Sequence, residues 1–247
     1  MIILLKDGEH IEPLGGGLSI IVSDIHHFST DTILLAHFSG QNRSKSACEL
    51  GTGCGAISML WAKYGKILHI DSVDIQPEAT DMLTRTVQLN NLCDKINVIN
   101  ENMLNLRGIL KFGSYDLVAC NPPYKLGGTG IVNPNNSKAT ARHETQCTVD
   151  DVTAVASGLL NFSGRFCMCQ RPERLTDVLI SMRKNNLEPK RLRFVQQRKD
   201  KSPKLFLIEG RKGGRAGFMN VEPTLFIEDE LGNFSDEMIQ IYGNYRG

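Results

Sequence analysis

The sequence predicts an α/β fold: a mostly parallel sheet of seven strands, the seventh antiparallel, with helices on both faces and a small N-terminal β-hairpin extension. Three observations carry that expectation. From residue 46 to residue 183, short apolar runs alternate with amphipathic segments, the pattern of repeated strand–helix–strand units. A glycine-rich turn, Gly51-Thr52-Gly53-Cys54-Gly55, joins the first of these runs to its helix. The last two runs, Arg191–Val195 and Lys204–Glu209, are linked by a short basic connection, so they pair antiparallel.

Composition sets the class. With 41% hydrophobic and 22% charged residues, the 247-residue chain reads as globular. No apolar run approaches the ~18 residues of a membrane span. Met1–Leu5 is followed at once by Lys6-Asp7-Gly8-Glu9, which is not a secretion signal. Seven cysteines without a CxxC pair suit buried thiols in a reducing compartment. The expectation is a cytoplasmic protein with no membrane partner and no metal, most simply a monomer. No linker divides it: residues 1–28 are read as the hairpin extension and 29–247 as the main domain.

Taken in order, residues 1–22 suggest a hairpin about Asp7-Gly8, a favoured two-residue turn. Ser29 or Thr30 opens a helix carrying Ile33, Leu34 and Phe38 inward. His26, His27 and His37 in this region fit no standard zinc spacing. Ser46–Leu50 is a strand, followed by the glycine turn and a helix. Leu68–Val73 is the second strand, and Pro77 starts the next helix. Ile96–Ile99 and Tyr115–Cys120 are the third and fourth strands. Residues 125–149 are rich in Gly, Asn and Thr, a loop long enough to act as a lid. Thr148-Val149-Asp150 opens a helix, Gly164–Cys169 is a fifth strand, and Arg171-Pro172-Glu173 enters a further helix. The acidic tail beyond Val221 is expected to pack on the body.

Two constellations point to chemistry. The glycines of the turn permit positive φ and close approach of a ligand. Asp74 follows Gly55 by nineteen residues and ends the second strand, where an acid can hold both ribose hydroxyls. No Lys follows the glycines, and the third glycine comes one residue early for a dinucleotide fingerprint. An adenosine cofactor without phosphate fits better, and S-adenosyl-L-methionine is the expected one. The candidates to hold it are Glu49, Gly51, Gly53, Gly55, Asp74, Ile75, Asn102 and Met103. The second constellation is Asn121-Pro122-Pro123-Tyr124 at the end of the fourth strand. The prolines stop the ladder and stiffen the bend. The Asn121 side-chain oxygen and the Pro122 carbonyl then form a pair of acceptors beside an aromatic ring. Such a pair suits a planar, conjugated amine. Asn121, Pro122 and Tyr124 are the expected catalytic residues, with Asn121 also next to the cofactor.

Charge is uneven. Residues 164–217 hold 15 basic and 5 acidic residues, a local balance of +10 in a chain of net +1. That excess suggests a polyanionic partner. Arg142, His143, Arg198, Lys199, Lys201, Lys204, Arg211, Lys212 and Arg215 are the expected RNA contacts.

The glycine turn, Asp74 and Asn121–Tyr124 resemble the Rossmann-like class I S-adenosylmethionine methyltransferases that act on planar amines. Further stretches resemble the bacterial tRNA(Val) adenine-37 N6-methyltransferase family: Phe28-Ser29-Thr30-Asp31-Thr32, Asn133-Pro134, Ala141-Arg142-His143-Glu144, Arg171–Leu175 and Glu209–Gly214. The resemblance implies methyl transfer to N6 of an adenine in tRNA. It also implies that Gly51, Gly53 and Asp74 hold the cofactor, with Asp31 near its methionine end. Glu49 departs from the family's common Asp, and Asn102 from its acidic adenine contact. Rival readings are a glutamine-N5 methyltransferase of release factors, a ribosomal RNA guanine-N2 methyltransferase and a non-catalytic RNA-binding relative.

Overall fold

The computed structural model describes residues 4–40, 44–65, 67–122 and 147–243. Strands β1 (Glu9–Gly15) and β2 (Leu18–Ser23) pair antiparallel, from Glu9 opposite Ser23 to Gly15 opposite Leu18. The hairpin exists, but its turn is Gly16-Gly17 and not Asp7-Gly8. Gly16 and Gly17 have φ of 58° and 78°. A tight hairpin whose twist matches its strands needs both central residues in that region. The register also buries Leu18, Ile20, Ile21 and Val22. The hairpin is clamped to helix α3 (Pro77–Leu89): Ile21 N–H donates to Thr86 Oγ1 at 3.0 Å, and Ser19 N–H to Asn90 Oδ1 at 3.0 Å.

Between hairpin and sheet runs α1 (Thr30–Gly40). The parallel part of the sheet comprises β3 (Ser46–Leu50), β4 (His69–Asp74), β5 (Ile96–Asn100), β6 (Tyr115–Cys120) and β7 (Leu160–Gln170). Helix α2 (Ala56–Tyr64) connects β3 to β4, and α3 connects β4 to β5. Helix α4 (Val149–Leu159) leads into β7. Helix α5 (Leu175–Lys184) then leads to β8 (Leu187–Gln196) and β9 (Leu205–Lys212). The spatial order is β5-β4-β3-β6-β7-β9-β8. β9 runs antiparallel to both β7 and β8. The first five strands and the antiparallel seventh therefore stand as the sequence predicts.

Two apolar clusters show why both faces carry helices. One joins β2, α1, α2 and α3 around the fully buried Trp61, whose indole N–H donates to Ser39 Oγ at 3.0 Å. The other joins α4 and α5 around Phe166 and Phe206. Cys167 and Cys169 share the first face, as their spacing requires.

The sheet gains two strands beyond the expected seven. β10 (Asn220–Val221) and β11 (Leu225–Phe226) both lie parallel to β8 on its outer side, followed by α6 (Asp236–Gly243). The tail packs on the body and draws on the basic excess. Glu222 pairs with Arg191 at 2.9 Å and Glu237 with Arg193 at 2.6 Å. Buried Glu209 takes Arg165 at 3.0 Å. Part of the +10 is thus neutralised within the fold. Among the described residues no helix is long and apolar enough to cross a membrane.

Candidate active site

The chain order runs outward from β3 through β4 to β5, then returns to the other side of β3 with β6. β3 and β6 therefore flank the point where the winding reverses, and ligands of open α/β sheets bind beyond the carboxyl ends at such a point. The register places Leu50 opposite Cys120. Gly51 and Asn121 consequently leave neighbouring strands side by side, about 4.8 Å being the usual strand spacing. Asp74 ends β4, next along the same rim, with Asn100 of β5 opposite it.

The glycine turn is pinned by backbone bonds. Gly51 N–H and Thr52 N–H both donate to Val73 C=O, at 2.9 and 3.0 Å. Gly53 N–H donates to Asp74 Oδ2 at 2.8 Å, and Gln76 N–H to Asp74 Oδ1 at 2.9 Å. Asp74 thereby ties the turn to the start of α3. Gly51 and Gly53 have positive φ, and a Cβ built on either meets nothing within 4 Å. No neighbouring atom fills the space that a side chain would take at either position. At Gly55 (φ 86°) a Cβ would instead strike the Leu83 side chain. Gly51 and Gly53 thus face open space, whereas Gly55 serves packing. Ile75, 38% exposed, adds an apolar surface beside Asp74.

Glu49 is buried beneath the turn. Its Oε2 accepts from Ser58 N–H at 2.9 Å, Thr52 Oγ1 at 2.8 Å and the Ser58 hydroxyl. Burial pushes its pKa up to about 7, against the pull of those hydrogen bonds. Ser58 lies in the first turn of α2, so a carboxyl group of the chain occupies an amide that phosphate-binding turns offer to their ligand. This supports the exclusion of a phosphorylated cofactor.

Asn121 is half-buried, with its amide held from two sides. Nδ2 donates to Thr32 Oγ1 of α1 at 3.2 Å, and the Cys169 thiol donates to Oδ1 at 3.0 Å. Thr32 follows Asp31, so the first turn of α1 reaches the same rim. Asn102 caps a short 3₁₀ turn, its Oδ1 accepting Leu104 N–H at 3.0 Å. Met103 sulfur takes the Cys147 thiol at 3.5 Å. Tyr124, Arg142, His143 and most of the expected lid lie outside the described residues.

The remaining basic candidates do not share one face. Val195 is opposite Leu205 and Leu187 opposite Lys212. The β8–β9 turn with Arg198, Lys199, Lys201 and Lys204 therefore lies at the Asn121 end of the sheet. Arg211, Lys212 and Arg215 lie at the other end, roughly 23 Å away along β9. Lys212 Nζ is tied there to Leu160 C=O at 2.7 Å. Sequence reasoning missed this division, and it also missed Thr32 and Cys169. The antiparallel pairing it did predict for the last two strands was the available signal for the first.

Residues 26–139 match the family model of the methyltransferase small domain. That span contains α1, the glycine turn, Asp74 and the Asn121 bend. Over a longer stretch, the chain is 25% identical across 221 residues to a tRNA1(Val) (adenine(37)-N6)-methyltransferase of Porphyromonas gingivalis, covering 86% of this chain and 85% of that one. A relative of the same name from Aliivibrio fischeri is 26% identical over 216 residues, with 86% and 87% covered. The methyltransferase fold extends over most of the chain. The predicted O-methyltransferase Atu636 of Agrobacterium tumefaciens superposes with a TM-score of 0.70 at 18% identity, covering 88% of this chain and 98% of that one. M. jannaschii TYW2, in complex with AdoMet, gives 0.58 at 15% identity, with 85% and 89% covered. The fold is that of the S-adenosylmethionine-dependent methyltransferases.

Proposed function

We propose that this methyltransferase transfers a methyl group from S-adenosylmethionine to the exocyclic N6 of an adenine in tRNA, with position 37 of tRNA(Val) as the expected target. The supporting observation is the register of Leu50 against Cys120, which sets the Asn121 bend beside the glycine turn. The tRNA1(Val) (adenine(37)-N6)-methyltransferases among its relatives support tRNA as the acceptor.

Gly51 and Gly53 would admit the cofactor, Asp74 would meet its ribose and Ile75 its base, with Asp31 near the methionine end. Bound there, the cofactor supplies an electrophilic methyl group on a sulfonium. An amine conjugated to a purine is a poor nucleophile, because its lone pair is delocalised into the ring. Asn121 Oδ1 and the Pro122 carbonyl accept its two hydrogens, which favours a tetrahedral nitrogen. Tyr124 stacks the base after it leaves the anticodon loop. No strong base is required, since the methylated ammonium is acidic and gives its proton to solvent. Alignment of the amine supplies much of the rate.

Total tRNA incubated with the protein and methyl-labelled cofactor should gain ribonuclease-sensitive label that maps to N6-methyladenosine. Asn121→Ala should lower kcat about 100-fold while leaving the cofactor dissociation constant within about twofold. Label appearing in release factor or ribosomal RNA instead would overturn the acceptor. Unchanged turnover of Asn121→Ala would overturn the site.

A further inference from the structure

We infer that Thr32 and Cys169 are positioning residues that fix which end of the Asn121 amide faces the substrate; this rests on the amine-methylating reading above.

A primary amide presents an acceptor at one end and two donors at the other, and a half-turn of its torsion exchanges them. Only one orientation can accept hydrogens from an amine. An asparagine beyond a strand end has no ladder to choose for it, so its neighbours must. Two distant parts of the chain supply them. Cys120 is opposite Met168, so Cys169, still within β7, comes beside Asn121 and on the same side of the sheet. Its thiol reaches Oδ1 at 3.0 Å from a fully buried position. From across that face, the first turn of α1 brings Thr32 Oγ1 to Nδ2 at 3.2 Å. Ser29 N–H also points at Thr32 Oγ1, at 3.4 Å, so the hydroxyl oxygen is used as an acceptor.

The two contacts select the same rotamer. Turning the amide over would aim its NH₂ group at sulfur, a weak acceptor, and would oblige the Thr32 hydroxyl to turn its own hydrogen toward the amide oxygen. An amide oxygen has two acceptor sites, so the thiol's hydrogen bond is compatible with one from the substrate amine. A thiol is also a weak donor, so it orients Oδ1 without strongly competing for it. Because β7 and α1 clamp the group from two elements, its geometry is set before substrate arrives. Preorganisation of this kind is where a polar site gains most of its effect.

The experiment compares full-length Thr32→Val, Thr32→Ser, Cys169→Ala and Cys169→Ser with the parent and with Asn121→Ala. Four quantities are read: kcat, KM for tRNA, the dissociation constant of S-adenosylhomocysteine, and unfolding temperature. Rates are measured well below each variant's unfolding temperature. Thr32→Val and Cys169→Ala should each lower kcat about tenfold, with both affinities within about twofold. Thr32→Ser should restore most of the lost rate, and Cys169→Ser part of it. The Thr32→Val, Cys169→Ala double variant should lose less than the product of the single losses, because both act on one amide.

If Asn121→Ala loses turnover while Thr32→Val and Cys169→Ala keep theirs within twofold, the positioning role is wrong and the reaction stands. If cofactor affinity falls in step with kcat, the residues act on the fold of the rim, and the inference is again overturned. If Asn121→Ala itself turns over normally, the reading beneath the inference fails.

Discussion

Asp71 and Asp74 lie three residues apart on one strand, both buried, and do different things. Asp71 is closed by side chains: Tyr115 Oη at 2.6 Å, Asn97 Nδ2 at 2.7 Å and His69 Nε2 at 2.8 Å. Each partner belongs to a strand of the same sheet, so the network locks β4, β5 and β6 together. Asp74 is held by backbone N–H groups of two loops, Gly53 and Gln76, at the rim where the sheet stops. The difference teaches where to look for function in this fold. A carboxylate saturated by its own sheet supports structure, whereas one that shapes loops at the strand tips shapes a crevice.

The largest effect tests that contrast directly. Asp74→Ala should cut kcat/KM for the cofactor about 100-fold, roughly 2.7 kcal/mol. Tyr115→Phe should leave turnover within about twofold and cost about 1–2 kcal/mol of stability in urea. A comparable loss of turnover in both would erase the distinction.

Gly55→Ala comes next. A side chain there meets both a left-handed backbone and the Leu83 side chain, so a loss of about 2–3 kcal/mol is expected by denaturant titration. Gly51→Ala has room for its methyl group and should cost only about 1 kcal/mol, from backbone strain. Its larger effect should be on cofactor affinity.

The third prediction concerns Glu49, the buried carboxyl beneath the glycine turn. Its folded pKa is raised to about 7 from an ordinary 4.5, with burial the main cause. The protonated form is therefore favoured by folding. Its contribution to stability is complete below about pH 4.5 and disappears as pH rises through about 7. Unfolding temperature followed from pH 5 to pH 8 should fall more steeply in the parent than in Glu49→Gln. Parallel curves would show that Glu49 does not titrate in this range.

The smallest effect separates the two ends of β9. Charge reversal at Lys199 and Lys201 should raise KM for tRNA about fivefold at low salt, and less at high salt. The same reversal at Arg211 and Arg215 should change it less than twofold. Equal effects would mean that the substrate reaches both ends of the sheet.

Much of this architecture was legible in the residues. The alternation of apolar runs and amphipathic segments gave the strand–helix order, and the spacing from Gly55 to Asp74 gave one side of the crevice. What stayed hidden depends on contacts between distant segments. Asp7-Gly8 had the chemistry of a hairpin turn, but the triple glycine matched the register that buries Ile20 to Val22. The basic excess counted Arg165, Arg191 and Arg193 as surface charges, while their carboxylate partners come from β9 and the tail. Thr32 and Cys169 look unremarkable in the sequence, since only the β6–β7 register and the seating of α1 bring them to Asn121. Asn102 could have capped a turn or faced a base, and its cap is fixed by a local loop geometry that composition does not encode.

The two short strands laid along β8 have a consequence for how the chain can be cut. They occupy hydrogen-bonding groups that would otherwise be an unfinished border of the sheet. Trimming the chain before Asn220 would strip that border, remove Glu222 from Arg191 and take both Pro223 and Glu237 from Arg193. Such a fragment is expected to recruit strands from other molecules and to precipitate.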